Sequence, residues 1–105
     1  MEVLILINCI VVVGSGVMGR GIAYVAALSG FDVTLVDTKP TALEQAKKEI
    51  ESLFEKGIKR QKITSEIAEK SLNKLSYEKD LSFAVESADL VIEAVPEQLA
   101  IKKSV

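Results

Sequence analysis

The stretch CIVVVGSGVMGRGIAYVAAL, Cys9 to Leu28, decides the reading of this chain: an apolar run, then four of its six glycines between Gly14 and Gly21. Glycine weakens helices and strands alike, so such a cluster marks backbone that must turn tightly or come close to something. Val11 to Val13 end an unbroken apolar run, the pattern of a strand covered on both faces. From Met18 to Leu28, Ile22, Ala23, Val25, Ala26 and Ala27 predict a closely packed helix, with Ser29 and Gly30 as its stop. Phe31 to Val36, FDVTLV, is rich in β formers and ends at Asp37. Strand, glycine turn, helix and strand thus follow one another within about 30 residues, the length of a βαβ unit.

Gly14, Gly16 and Gly19 spell G-x-G-x-x-G, a pattern that many sequences contain by chance. Its context gives it weight: a strand before it, a helix opening on it, and an acid, Asp37, 18 residues beyond Gly19 at the end of the next strand. In that setting Gly14 permits the turn, Gly16 lets a pyrophosphate approach the backbone, and Gly19 lets the helix pack on the sheet. Backbone N–H groups from Ser15 through Val17 to Met18 face the anion at the positive end of the helix. Asp37 accepts from the ribose hydroxyls, and its charge repels a 2′-phosphate, which favours NAD over NADP. Lys39 lies nearby, but no arginine directly follows the acid. The absence of a G-K-[ST] ending argues against a P-loop nucleotidase. The competing reading is a structural glycine turn in a sheet that binds nothing.

Beyond Asp37, Pro40 suits a first helical position, and Thr41 with Glu44 offers a capping box as an alternative start. Leu43, Ala46, Ile50, Leu53 and Phe54 fall on one helical face, and fraying is expected at Gly57. A second helix is expected over Thr64 to Leu72, and a short edge strand over Lys74 to Tyr77. Residues 38–73 thus form a charged helical excursion between the second and third strands. Leu81 to Ser87 reads as a helical turn or two, Asp89 to Val95 as another buried strand, and the residues after Pro96 as the start of a helix. The fold class is α/β: a Rossmann-type doubly wound parallel sheet, first half only, with strand order 3-2-1-4.

Composition narrows the function. The 105 residues form at most one domain, with 49% hydrophobic and 27% charged residues, the balance of a globular chain. A net charge of -2 provides no general attraction to nucleic acid or an anionic membrane. The apolar run Val3 to Val13 is too short to span a bilayer, and Glu2 precedes it where a signal peptide carries basic residues. Residues 1–7 read as an irregular lead-in. The lone Cys9 reads as a buried, inert thiol in a reducing, cytoplasmic setting. With no histidine in the sequence, the commonest acid–base group near neutral pH is missing. No catalytic residue and no metal ligand are assigned.

GSGVMGRGIA, VTLVD and ADLVIEAVPE together resemble the NAD-binding domain of the L-3-hydroxyacyl-CoA dehydrogenases, 3-hydroxybutyryl-CoA dehydrogenases included. The resemblance implies NAD-dependent oxidation of a 3-hydroxyacyl-CoA to the 3-ketoacyl-CoA, or the reverse reduction, in fatty acid metabolism. It implies that Gly14 to Gly19 hold the pyrophosphate and Asp37 the adenosine ribose, with Glu97 and Lys102 on the nicotinamide side. Ser52 and Lys59 align with positions that contact CoA, and Lys56, Lys59, Arg60 and Lys62 form a basic cluster suited to phosphates. Ser15 stands where alanine or glycine is usual. The family's active-site histidine, with its glutamate, serine and asparagine companions, lies beyond the fourth strand. Residues 1–105 are therefore expected to be a partial NAD-binding domain, with the rest of the sheet and a C-terminal helical domain absent. By itself such a piece is expected to be inactive. The parent protein is expected to be a homodimer through the missing domain. Two alternatives stay open: a non-catalytic dinucleotide-binding module, and the nucleotide half of a sister hydroxy-acid dehydrogenase. A chain ending here is also expected to leave the fourth strand as an open apolar edge.

Overall fold

The computed structural model describes residues 7–95 and 98–103. Four parallel strands carry the fold: β1 (Cys9–Val13), β2 (Asp32–Val36), β3 (Leu75–Glu78) and β4 (Leu90–Val95). Between them run helices α1 (Val17–Leu28), α2 (Pro40–Lys59), α3 (Ser65–Leu72) and α4 (Leu81–Val85), and a last strand, β5 (Gln98–Lys103), follows. The sheet order is β3-β2-β1-β4-β5, so the expected 3-2-1-4 order stands with one strand added at its edge.

The unbroken apolar character of β1 has its cause in two-sided burial. Ile10 and Val12 pack with Val33, Leu35 and Ala94 beneath α1, α2 and α3, while Val11 turns to the opposite face with Val36 and Ala84 of α4. Helices on both faces are the doubly wound arrangement. On α1 the buried residues are Gly19, Ala23, Ala26 and Ala27, small enough to bring the helix close to the strands. Its end is a Schellman motif: the N–H of Phe31 donates to the Ala26 carbonyl at 3.1 Å and that of Gly30, at φ 99°, to Ala27 at 3.0 Å. Tyr24 and Phe54, with ring centroids 4.7 Å apart, join α1 to the fully buried face of α2.

Pro40 is the first residue of α2 and the N-cap is Lys39, without a side-chain cap, so the Thr41 and Glu44 box is not used. The helix does not fray at Gly57 but continues to Lys59. There the chain doubles back, with Gln61 at φ 58°, and Ile63 comes so near that a Cβ on Gly57 would lie 3.1 Å from its side chain. The glycine makes room for the returning chain rather than ending the helix. Thr64 caps α3, its hydroxyl accepting from the N–H of Ile67 at 3.1 Å. At the start of β1 both Asn8 and Cys9 donate N–H bonds of 2.9 Å to the Asp89 carboxylate, which ties β1 to the entry of β4.

The region after Pro96 departs from expectation. Instead of a helix, Gln98–Lys103 forms β5, antiparallel to β4 from Val95 opposite Gln98 to Leu90 opposite Lys103. The outer edge of β4 presents a row of N–H and C=O groups, and the adjacent chain satisfies them by pairing. The expected open edge at β4 is therefore covered. Ile7, at the end of the expected irregular lead-in, packs against the core; residues 1–6 lie outside the described residues. Cys9 is half-buried rather than buried, because it sits at the sheet's end, where burial and then Asp32 and Asp89 raise its thiol pKa.

Candidate functional site

β1 delivers the chain to the glycine turn at the C-terminal edge of the sheet. Gly14 adopts φ 102°, and its N–H donates to the Val36 carbonyl at 2.7 Å, fastening the turn to the end of β2. α1 then starts with its first turn lying over Gly14: a Cβ on Gly19 would overlap the Gly14 carbonyl oxygen and reach within 3.6 Å of the Ala94 Cβ. Gly16, by contrast, has nothing within 4 Å of where its Cβ would stand. The protein leaves that space to solvent or to a ligand.

Gly16 is the N-cap of α1 and offers no side-chain acceptor, and the first turn carries no acid. Since the first intrahelical bond runs from Arg20 N–H to the Gly16 carbonyl at 2.9 Å, the N–H groups of Val17, Met18 and Gly19 have no intrahelical acceptor. Together with the helix dipole they make the turn attractive to an anion. Val17 and Met18 are exposed there, at 76% and 43%.

Asp37 stands just past the end of β2, across the turn. Its Oδ2 accepts from the Ser15 N–H at 3.0 Å and the Ser15 hydroxyl at 2.7 Å, and its Oδ1 from the Lys39 N–H at 3.0 Å. Burial raises the Asp37 pKa. The Lys39 N–H, the Ser15 hydroxyl, the Ser15 N–H and the charge of Lys39 outweigh that, so it lies below the ordinary 3.8. A carboxylate whose pKa is depressed by folding stabilises the fold above its unfolded value, and that stabilisation is lost as pH falls through the folded value. Accordingly, urea midpoints should fall as the pH is lowered below 3.8. Asp37→Asn should flatten part of that decline, with Asp89, whose pKa the Cys9 and Asn8 N–H groups also lower, supplying another part. An identical decline in the Asn variant would remove Asp37 from the account.

The turn and Asp37 open on a cleft of about 850 Å³ lined by Gly14, Ser15, Gly16, Val17, Met18, Arg20, Asp37, Lys39, Ala42, Gln45 and Ala94. Among the described residues no cluster of three His, Cys, Asp or Glu side chains is disposed to hold a metal, and no helix is long and apolar enough to cross a membrane. Tyr77, its pKa pushed up to about 12 by burial and by Glu51, lies outside the cleft under Lys47.

Residues 9–105 match the family described as 3-hydroxyacyl-CoA dehydrogenase, NAD binding domain. The chain belongs to this family. The rat mitochondrial hydroxyacyl-coenzyme A dehydrogenase is 42% identical over 103 residues, covering 93% of this chain and 33% of that protein. The 3-hydroxyadipyl-CoA dehydrogenase of Escherichia coli K12 is 41% identical over 98 residues, covering 93% of this chain and 20% of that protein. Among solved structures, the 3-hydroxybutyryl-CoA dehydrogenase from Escherichia coli K12 superposes with a TM-score of 0.84 at 39% identity, over 90% of this chain and 20% of the other. The chain therefore spans a third or less of the length of these relatives. NAD is the cofactor of this domain family.

Of the residues singled out in the sequence, Gly14, Ser15, Gly16, Val17, Met18 and Asp37 line one cleft, with Gly19 packed beneath it. Glu97 lies outside the described residues. Lys102 pairs with Val91, near the start of β4, whereas the cleft lies toward that strand's far end, beside Ala94. Ser52 and Lys59 are not part of the cleft. They sit about 10 and 21 Å along α2 from Gln45, at 1.5 Å per residue. Arg20, Ala42 and Gln45 were missed. Their signal was spacing: Arg20 is one turn beyond Gly16, and Ala42 and Gln45 are three apart in the first turns of the helix following Asp37.

Proposed function

We propose that this chain is the NAD-holding part of a 3-hydroxyacyl-CoA dehydrogenase, which oxidises the 3-hydroxyl of an acyl-CoA to a ketone or reduces the ketone in the reverse direction. The observation that carries the reading is the contrast between Gly19, closed by the Gly14 carbonyl, and Gly16, open to a cleft ringed by unpaired helix N–H groups and Asp37. Packing explains the first glycine. A ligand brought against the backbone accounts for the second, whose missing side chain faces the cleft.

In this reading the N–H groups of Val17, Met18 and Gly19 bind the pyrophosphate, and the Asp37 carboxylate binds the adenosine ribose and disfavours a 2′-phosphate. NAD supplies the hydride acceptor, or NADH the donor. With no histidine in the sequence, the group that takes the hydroxyl proton is sought elsewhere in the parent protein. Glu97, two residues beyond the end of β4 in sequence, is proposed as a nicotinamide-side contact by resemblance, and Ser52 and Lys59 as contacts to CoA. A homodimeric parent in the cytoplasm completes the reading.

The test is calorimetric titration of the chain with NAD and NADP, together with NADH-linked reduction of acetoacetyl-CoA by the parent protein. Asp37→Ala should weaken NAD binding about tenfold or more, the cost of losing hydrogen bonds to a charged acceptor, while narrowing the gap to NADP. Unchanged affinity for both nucleotides would remove Asp37 from the site.

A further inference from the structure

Asp37 meets its ligand with much of its acceptor capacity already used. An ionised carboxylate has about four lone-pair sites. Here Oδ2 takes two donors, the N–H and the hydroxyl of Ser15, and Oδ1 takes one, the N–H of Lys39. The remaining capacity is therefore on Oδ1. Ser15 is only 2% exposed, one of two buried polar residues among those described, and the shortest of these three bonds, 2.7 Å, is from its hydroxyl to Asp37. The two N–H donors belong to the backbone and stay with the turn whatever residue stands at position 15. The hydroxyl is the one donor that a different side chain would remove.

From this geometry we infer that Ser15 is a positioning residue: its hydroxyl anchors Oδ2 of Asp37, leaving Oδ1 as the fixed, charged acceptor that selects an unphosphorylated ribose diol. The inference rests on the reading that Asp37 receives the adenosine ribose. Without the hydroxyl the carboxylate is held on Oδ2 by a single N–H and turns more freely. Its hydrogen bond to the ribose then costs more ordering. A 2′-phosphorylated nucleotide gains little from that bond and so loses little with it. A purely structural Ser15, stiffening the turn, would instead affect both nucleotides alike, since both place the same pyrophosphate there.

The experiment is a double-mutant cycle read by calorimetric binding of NAD and NADP, with Ser15→Ala and Asp37→Ala made singly and together. Ser15→Ala should weaken NAD binding about five- to tenfold, the scale of ordering one more side chain on binding, and shift NADP binding by less than about twofold. In the Asp37→Ala background, Ser15→Ala should change neither. Ser15→Cys, which fills the same volume with a weak donor, should reproduce the selectivity loss and serves if the alanine variant fails to fold. Equal losses for both nucleotides, an unchanged NAD-to-NADP ratio, or a ratio change that persists without Asp37 would each overturn the inference while leaving the NAD site standing. Failure of the unaltered chain to bind NAD would overturn the underlying reading, and the inference with it.

Discussion

Gly19→Ala is expected to destabilise the chain by about 3 kcal/mol or more, lowering its melting temperature by about 12 °C or more. The added methyl would overlap the Gly14 carbonyl oxygen, and the Ala94 side chain lies just beyond, at 3.6 Å. A clash with the end of a flexible side chain relaxes cheaply, but this one is with backbone. Gly14 cannot readily yield, because it already holds φ 102° and its N–H is bonded to Val36 at 2.7 Å. Relief requires lifting the start of α1 off the sheet, which opens the contacts of Ala23 and Ala27 with the buried strands. Thermal denaturation followed by circular dichroism measures the effect. A melting temperature close to that of the unaltered chain would show that helix and turn are not in contact here.

Gly16→Val should do the reverse, sparing the fold and abolishing useful cofactor binding. Nothing lies within 4 Å of the position its Cβ would take, and Gly16 has φ −68° and ψ −168°, an extended backbone that any residue adopts. The stability cost is that of a poorer N-cap, about 1 kcal/mol. In the cleft, however, the isopropyl group would stand where the pyrophosphate is proposed to meet the helix N–H groups. Losing two charge-assisted hydrogen bonds of about 1.5 kcal/mol each weakens NAD about a hundredfold. Calorimetry against NAD, beside a melting curve, separates the two effects. A Gly16→Val variant that binds NAD as tightly as the unaltered chain would move the pyrophosphate off this turn. The pair of substitutions separates a glycine required by packing from one proposed to admit the cofactor.

Much of this was legible in the sequence. The apolar run into β1, the small-residue face of α1 and the spacing from Gly19 to Asp37 are periodic or positional signals, and each reflects a local steric demand. What failed to show had non-local causes. Gly57 reads as a helix breaker because its propensity is poor, yet α2 runs through it, and Ile63, six residues on, folds back against the space its missing Cβ leaves. The segment after Pro96 has the composition of a helix, yet the unpaired edge of β4 recruits it as a strand. The serine at position 15 stood out only as a departure from the usual alanine or glycine, with no sign of its partner. Its value depends on Asp37, 22 residues away, turning toward it at the mouth of the sheet.

By itself, then, the sequence determined the βαβ unit, the order of the parallel strands, the family and the identity of the turn and acid that frame the cleft. The βαβ unit and its turn follow from backbone sterics and hydrophobic periodicity, which act over a few residues, the strand order from right-handed crossovers, and the family from the resemblance of three motifs. Only the tertiary structure decided that Ser15 is buried against Asp37, that Ile63 folds back onto Gly57, and that β5 covers β4. Those depend on which groups distant segments place in contact, and a contact across the sheet leaves no periodic trace in the chain that makes it.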